Sequence, residues 1–242
     1  MDVNLNQTQQ DESPTRLHEK LQPELQESLE DRGEGTLTLS HPLVIIPFYS
    51  EHFAQQANAV LSHKTKRIQK AIKTNNWDSI IWLHERPYRL WAFSQFSKFM
   101  KPEQYWKILK AVWMDSEFPM IEKDLWLSMF TAQIKQKRKF MSGSERRVLQ
   151  SLPETVDIYR GYNGSKQGTL GLSWTLSKDK ALGFAHRFGE DDPFIAIATC
   201  KRDSILAYFH ARGEQEIIID PLDAQIVDNE QVVDQAESTT TV

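Results

Sequence analysis

The chain has 242 residues, of which 40% are hydrophobic and 26% charged, with one cysteine and a formal net charge of −4. That length and composition fit one medium domain, or a small domain with an extension, and supply enough apolar side chains for a packed core. They exclude a wholly disordered chain and a disulfide-stapled scaffold, and no apolar run approaches a helical membrane span.

Cys200 lies in the apolar run 194–200 and reads as a small core residue, which suits a reducing cytoplasm. The polar start Met1–Gln10 lacks the basic and apolar parts of a secretory signal, so a cytoplasmic protein with no membrane partner is expected. The charge is uneven. Residues 51–150 hold 18 Lys/Arg against 9 Asp/Glu, between two acidic ends. Such a middle attracts nucleic acid or an acidic protein. The favoured explanation is plainer: it docks on the acidic C-terminal part, or forms a solvated helical surface.

In chain order, residues 1–40 are polar and acidic and read as a mobile segment. Leu17, Leu21, Leu25 and Leu29 allow a conditional helix around Arg16–Glu30, which Pro23 interrupts. Leu43–Ile46, between Pro42 and Pro47, reads as a short edge strand. Residues 41–100 form a helical accessory region, with helices over Ala54–Lys73, Trp77–His84 and Tyr88–Met100. A catalytic-type domain spans 101–228. It opens with helices over Glu103–Met114, Glu122–Phe140 and a short one capped by Ser142-Gly-Ser-Glu145. The apolar stripes of these helices, Tyr105, Leu109, Val112, Trp113, Trp126 and Phe130 among them, read as core. The cluster Lys135–Lys139 reads as a basic helix end that complements the helix dipole. After Pro153 strands take over: Thr155–Arg160, Leu172–Leu176, Phe194–Cys200, Ile205–Phe209, Glu214–Ile219 and Ala224–Val227, with one helix over 178–188. Residues 229–242 read as a frayed tail.

Three pieces of this second half carry chemistry. Arg160-Gly161 ends a strand, where a guanidinium fork can bind phosphate or carboxylate and glycine lets the backbone approach. Ser173 and Thr175 place hydroxyls on an extended segment. Glu214-Gln215-Glu216 opens the run Ile217–Ile219, so a strand beginning before Glu214 aims both carboxylates at one space. Taken alone, that acidic pair reads as a solvated strand start.

In this order and spacing, Arg160-Gly161, Gly171-Leu-Ser-Trp-Thr175 with a trailing Ala181-x-x-Phe184 helix, and Glu214-x-Glu216-Ile-Ile resemble the Arg–Ser–Glu class of mono-ADP-ribosyltransferases, which includes bacterial binary toxins and enzymes of T-even phages. The match covers 154–228, about a third of the chain, and the family's usual Ser-Thr-Ser appears as Ser173-Trp174-Thr175. The resemblance implies an α+β fold: a helical N-terminal part followed by a split two-sheet, NAD-binding β core, completed by helices of 103–152. It implies NAD as substrate, no metal, and transfer of ADP-ribose to an arginine of a target protein by a phage or bacterial effector, in a host-cell cytoplasm if the protein is delivered there. Arg160 and Gly161 would bind the NAD pyrophosphate or ribose. Ser173 would hold the nicotinamide side and the catalytic glutamate, Thr175 would lie beside it in the cofactor site, and Phe188 would stack on a base. Glu216 would be the ribose-binding catalytic acid and Glu214 the acceptor-activating one. Phe209 and Arg212 would recognise the acceptor. Arg160, Ser173 and Glu216 should then converge on one cleft.

The chemistry of the residues agrees. Glycosidic C–N cleavage develops positive charge on the ribose, which a fixed carboxylate stabilises. A guanidinium acceptor needs a base beside it. Three alternatives stay open: NAD hydrolysis with water as acceptor, ADP-ribosylation of nucleic acid, which residues 51–150 alone suggest, and a binding protein without catalysis.

Overall fold

The computed structural model describes residues 19–117, 122–164, 166–187, 192–210 and 212–232. The chain divides into two compact units, one ending at Tyr88 and one starting at Arg89.

The first unit contains a three-stranded sheet of which the sequence anticipates only the edge strand at Leu43–Ile46. A single helical turn, α1 (Pro23–Gln26), precedes three antiparallel strands: β1 (Leu29–Asp31), β2 (Leu37–His41) and β3 (Val44–Tyr49). From residue 19 onward, the acidic segment expected to be mobile is therefore ordered structure. Its few apolar side chains explain why. Leu25 and Leu39 are fully buried, and together with Leu43, Val44, Ala57 and Leu61 they form one core against the helix α2 (Ala54–Lys73). Among the described residues from 19 onward, the expected helix over Arg16–Glu30 is a single turn that starts at Pro23, and Leu29 instead pairs with Leu39. Asn58 on α2 ties the segment down: its Oδ1 accepts from Gln22 N, and its Nδ2 donates to Glu19 Oε1 and Lys20 O, each at 2.9 Å. The helix α3 (Trp77–Leu83), capped by Asn76, completes this unit.

The second unit begins with α4 (Arg89–Phe96), so the boundary falls before the helix that the sequence reading assigned to the accessory region 41–100. Then come α5 (Pro102–Asp115), α6 (Lys123–Phe130) and α7 (Gly143–Ser151). Ser142 and Glu145 form a reciprocal capping box at the start of α7, as their spacing predicts. The long helix expected over Glu122–Phe140 stops at Phe130. Gln136 is left-handed (φ 62°) and Lys137–Lys139 make a 3-10 turn, so the basic cluster does not sit on a helix terminus. Lys139 pairs with Glu103 and Lys137 lies over the Trp106 ring.

The strands are β4 (Thr155–Asn163), β5 (Ser173–Thr175), β6 (Pro193–Lys201), β7 (Ile205–Phe209), β8 (Glu216–Ile219) and β9 (Gln225–Gln231), with α8 (Lys178–Ala185) between β5 and β6. They form one antiparallel sheet in the order β7-β8-β5-β4-β6-β9. Its two halves meet at β4 and β5 through one residue pair, Tyr159 and Thr175. Of the tail expected over 229–242, residues 229–231 belong to β9, which pairs along β6, and those after 232 lie outside the described residues. The fold is α+β, as expected. Among the described residues, no helix is long and apolar enough to cross a membrane.

The core of the second unit packs Val156, Ile158, Trp174, Ala196, Ala198, Ile217 and Ile219 from the sheet. An aromatic cluster follows the helices: Phe93, Tyr105, Trp106 and Phe140 in sequence of contact, then Phe209 on β7. Trp113, Trp126 and Phe130 make a second group, with Trp113 meeting the other two rings edge-on.

Candidate active site

Three backbone facts bring the site together. β5 and β8 pair with Thr175 opposite Glu216 and Trp174 opposite Ile217. Side chains alternate along a strand, so Ser173, Thr175 and Glu216 share one face, while Trp174 and Ile217 enter the core behind it. The bulky Trp174 between the two hydroxyl residues therefore lies on the opposite face from them. Its indole N–H is satisfied by Gly171 O at 2.9 Å.

On that face, Ser173 Oγ donates to Glu216 Oε1 at 2.6 Å, and Trp113 Nε1 donates to the same oxygen at 3.1 Å. The other oxygen, Oε2, is buried and has no hydrogen-bond partner among the described residues. Burial pushes the Glu216 carboxyl above its ordinary range. The Ser173 and Trp113 bonds and the charge of Arg212 oppose this, and the charge of Glu214 adds to it. An unpaired buried carboxylate oxygen is costly. Here it is a strong acceptor held ready for a hydroxyl or a developing positive charge.

Arg160 approaches from the other half of the sheet. Its Nε donates to Gly168 O at 2.6 Å and its Nη1 donates to Ser173 O. It thus holds the backbone of the residue whose hydroxyl holds Glu216. Burial lowers its pKa to about 10, and the nearby charge of Glu216 works the other way. Gly171 makes room for it: a Cβ there would lie 2.2 Å from the Arg160 Cζ. A part-buried guanidinium, bonded among the described residues to two carbonyls and with a carboxylate in electrostatic range, suits an anionic ligand group. Arg160 and Glu216 are thus linked through Ser173, by its carbonyl and its hydroxyl respectively.

Other predicted residues lie elsewhere. Gly161 does not face a ligand space. A Cβ on it would strike the α8 backbone, 1.9 Å from Ala181 O, so this glycine lets α8 pack on β4. The Thr175 hydroxyl is engaged within the protein, donating to Glu214 O at 2.6 Å and accepting from Ser177 N at 3.1 Å. It braces the loop before β8. Phe209 is buried against Phe140, under the Lys110 ammonium, and presents nothing to an acceptor. Phe188 lies outside the described residues.

Glu214 also departs from expectation. β8 begins at Glu216, and Gln215 before it is left-handed (φ 50°), so Glu214 and Glu216 are not i and i+2 of one strand. Thr175 Oγ1 and the bond from Leu176 N to Gln215 O hold this turn on β5. Glu214 Oε2 pairs with Arg212 Nε at 3.2 Å, at the exposed rim. Trp113 was legible in the sequence only as a core residue. Its apolar stripe placed it inside, and a buried indole N–H needs an acceptor, but nothing local identifies Glu216 as that acceptor. Among the described residues, no group of three or more His, Cys, Asp or Glu could hold a metal ion.

Comparison of the chain with protein-family models, curated proteins and solved structures finds no match to any of them.

Proposed function

We propose that the protein transfers ADP-ribose from NAD to a guanidinium acceptor, an arginine of a target protein, and releases nicotinamide. The observation that carries this reading is the Glu216 carboxylate, fixed through one oxygen by Ser173 and Trp113, with the other buried and, among the described residues, unpartnered. Nicotinamide departure leaves positive charge on the ribose. A carboxylate fixed before the reaction stabilises that charge more than it stabilises the ground state. Oε2 would take a ribose hydroxyl, and Arg160 the charge of the pyrophosphate. Glu214 lies close enough to raise the Glu216 pKa and serves as the base for an incoming guanidinium. The order of these residues in the sequence matches the Arg–Ser–Glu class, which supports the same assignment.

One observation favours hydrolysis as a second reading: Arg212 already occupies Glu214. An external acceptor must displace it, whereas water need not.

The test uses NAD labelled in the ADP-ribose, with agmatine as a small guanidinium acceptor, and measures both nicotinamide release and agmatine labelling. Glu216→Ala should abolish both. Glu214→Ala should lose transfer to agmatine and keep some nicotinamide release. Undiminished release by Glu216→Ala would overturn the reading.

A further inference from the structure

We infer that Glu145 is a positioning residue for Glu214: by holding His210 it fixes the start of the turn that carries Glu214, and so governs transfer to an acceptor separately from nicotinamide release. This rests on the reading of the site as an ADP-ribosyltransferase and adds a residue that its transfer step needs.

The two acids of the site are held in different ways. Glu216 opens β8, and Ser173 and Trp113 grip its carboxylate directly. Glu214 precedes the strand, on a turn shaped by two left-handed residues, Gly213 (φ 68°) and Gln215 (φ 50°). Among the described residues its carboxylate bonds only to Arg212, two residues before it. The backbone therefore places Glu214, and the backbone is fixed from both ends.

β5 fixes the far end. Thr175 Oγ1 donates to Glu214 O at 2.6 Å, and Leu176 N donates to Gln215 O at 3.1 Å. Glu145 fixes the near end. His210 N donates to Glu145 Oε1 at 3.3 Å, and Gly213 N donates to His210 O at 2.9 Å. A grip on His210 is thus carried to the residue before Glu214.

Glu145 does more than a helix cap requires. It is 4% exposed, and each of its oxygens receives two donors. Oε2 takes Ser142 N and Lys110 Nζ, both at 2.7 Å, and the Ser142 bond alone completes the capping box of α7. Oε1 takes Lys110 Nζ at 3.0 Å and reaches across to His210, beyond the end of β7. Lys110 lies over the Phe209 ring, 4.7 Å from its centre, which keeps the ammonium beside Glu145. Lys110 and Trp113 stand at i and i+3 on α5, so they share a face of that helix. Trp113 holds Glu216 and Lys110 holds Glu145, so one helix sets the place of both acids.

The purified full chain is assayed with NAD and agmatine below the melting temperature of every variant, with nicotinamide release and agmatine labelling measured together. Glu145→Gln keeps one oxygen for Ser142 N and turns an amide N–H toward His210 N, so that contact is lost. Glu145→Asp keeps a charge for Lys110 but is too short to reach both backbone donors. Misplacing a catalytic group by about 1 Å can cost about 100-fold in rate, so both variants should lower the ratio of labelling to release by about 10- to 100-fold. The loss should fall on kcat for transfer and leave KM for NAD unchanged. Ser142→Ala weakens the cap but leaves Glu145 on His210, and should keep the wild-type ratio. An unchanged ratio in either Glu145 variant, release that falls in step with labelling, or an equal fall in Ser142→Ala overturns the inference while the proposed function stands. Wild-type release without labelling overturns it in favour of hydrolysis. Neither release nor labelling by the wild type overturns both.

Discussion

Ser173 and Glu216 meet through a single oxygen: Ser173 Oγ donates to Glu216 Oε1 at 2.6 Å, while Oε2, buried beside it, has no partner among the described residues. A carboxylate placed only to be neutral in a core would have both oxygens satisfied. This one is fixed in orientation and left half unsatisfied, and the second donor on Oε1, Trp113, comes from a helix 103 residues earlier in the chain.

Removing either donor should therefore cost activity with little loss of fold. Trp113→Phe keeps an aromatic ring against Trp126 and Phe130 but removes the N–H. Ser173→Ala removes the hydroxyl. A hydrogen bond to a charged group is worth about 1.5–3 kcal/mol, so each variant should slow nicotinamide release roughly 10- to 100-fold. The melting temperature should change little, and steady-state kinetics beside thermal melts check this. Full activity in both would mean that Glu216 needs no orienting bond.

Two glycines should fail for different reasons. At Gly171 an added Cβ would meet the Arg160 guanidinium, the end of a flexible side chain. At Gly161 it would meet the backbone of α8 at Ala181 and Ala185, which cannot yield locally. Overpacking costs about 1–3 kcal/mol. Gly171→Ala should sit low in that range and lose NAD affinity as Arg160 is displaced. Gly161→Ala should sit at or above its top. Urea titration and NAD binding by calorimetry separate the two.

These contacts also show what a sequence carries and what it does not. The run Ile217–Ile219 and the alternation of Ser173, Trp174 and Thr175 are periodic, and period fixes which face each side chain takes. The face that Ser173 takes was readable on that basis, but its contact with Glu216 was implied only by the family resemblance. Gln215 was not, because a left-handed non-glycine residue has no sequence signature, and it undoes the alternation that would put Glu214 beside Glu216 on one strand. Apart from the edge strand at Leu43–Ile46, the sheet β1–β3 was hidden by composition. Few apolar residues mark it, yet Leu25 and Leu39 each fill a fully buried position, and burial depends on a partner helix that local pattern does not reveal. Trp113 has the same limitation in the site itself: its spacing reports that it is buried, not which acceptor its N–H finds.

In the first unit, Asn58 is 4% exposed, and it makes three hydrogen bonds to residues 19–22. Asn58→Ala leaves a buried backbone N–H at Gln22 and the carbonyl of Lys20 without these partners. A cost of about 2–3 kcal/mol is expected, concentrated on the segment before α1. Limited proteolysis should cut the variant faster around residues 19–28 than the wild type, with cleavage elsewhere unchanged. Equal cutting rates would show that Leu25 alone holds the segment.

Glu145 caps α7, receives Lys110 Nζ at 2.7 and 3.0 Å, and accepts from His210 N at 3.3 Å. Burial tends to raise its pKa, but the Lys110 bond and the Ser142 donors outweigh this, so it is held below the ordinary carboxylate range. A depressed folded pKa contributes stability present above the unfolded value and lost as pH falls through the folded one. Glu145→Gln should lower stability at neutral pH by about 1–3 kcal/mol, the range for losing hydrogen bonds to a charged group, because the Lys110 side chain is part-buried and regains water. The gap from wild type should narrow as the pH falls below the ordinary carboxylate value. Denaturant titrations at several pH values read this directly.

Glu216 shows the opposite sign. Burial raises its folded pKa above the ordinary value of 4.5, despite the opposing bonds from Ser173 and Trp113. Its favourable contribution to stability is complete below the unfolded pKa and is lost as pH rises through the folded one. Glu216→Gln is indifferent to this titration. It should melt close to wild type in acid and at a higher temperature than wild type once Glu216 is ionised. Catalysis has the reverse requirement, because only the ionised carboxylate stabilises a cationic ribose. The acid limb of kcat/KM for nicotinamide release should therefore lie above the ordinary carboxylate range. The neighbours should move that limb predictably. Arg212 favours the ionised form and Glu214 opposes it, so Arg212→Gln should shift the limb to higher pH and Glu214→Gln to lower pH. Limbs that stay put in both variants would mean that the titrating group is not Glu216.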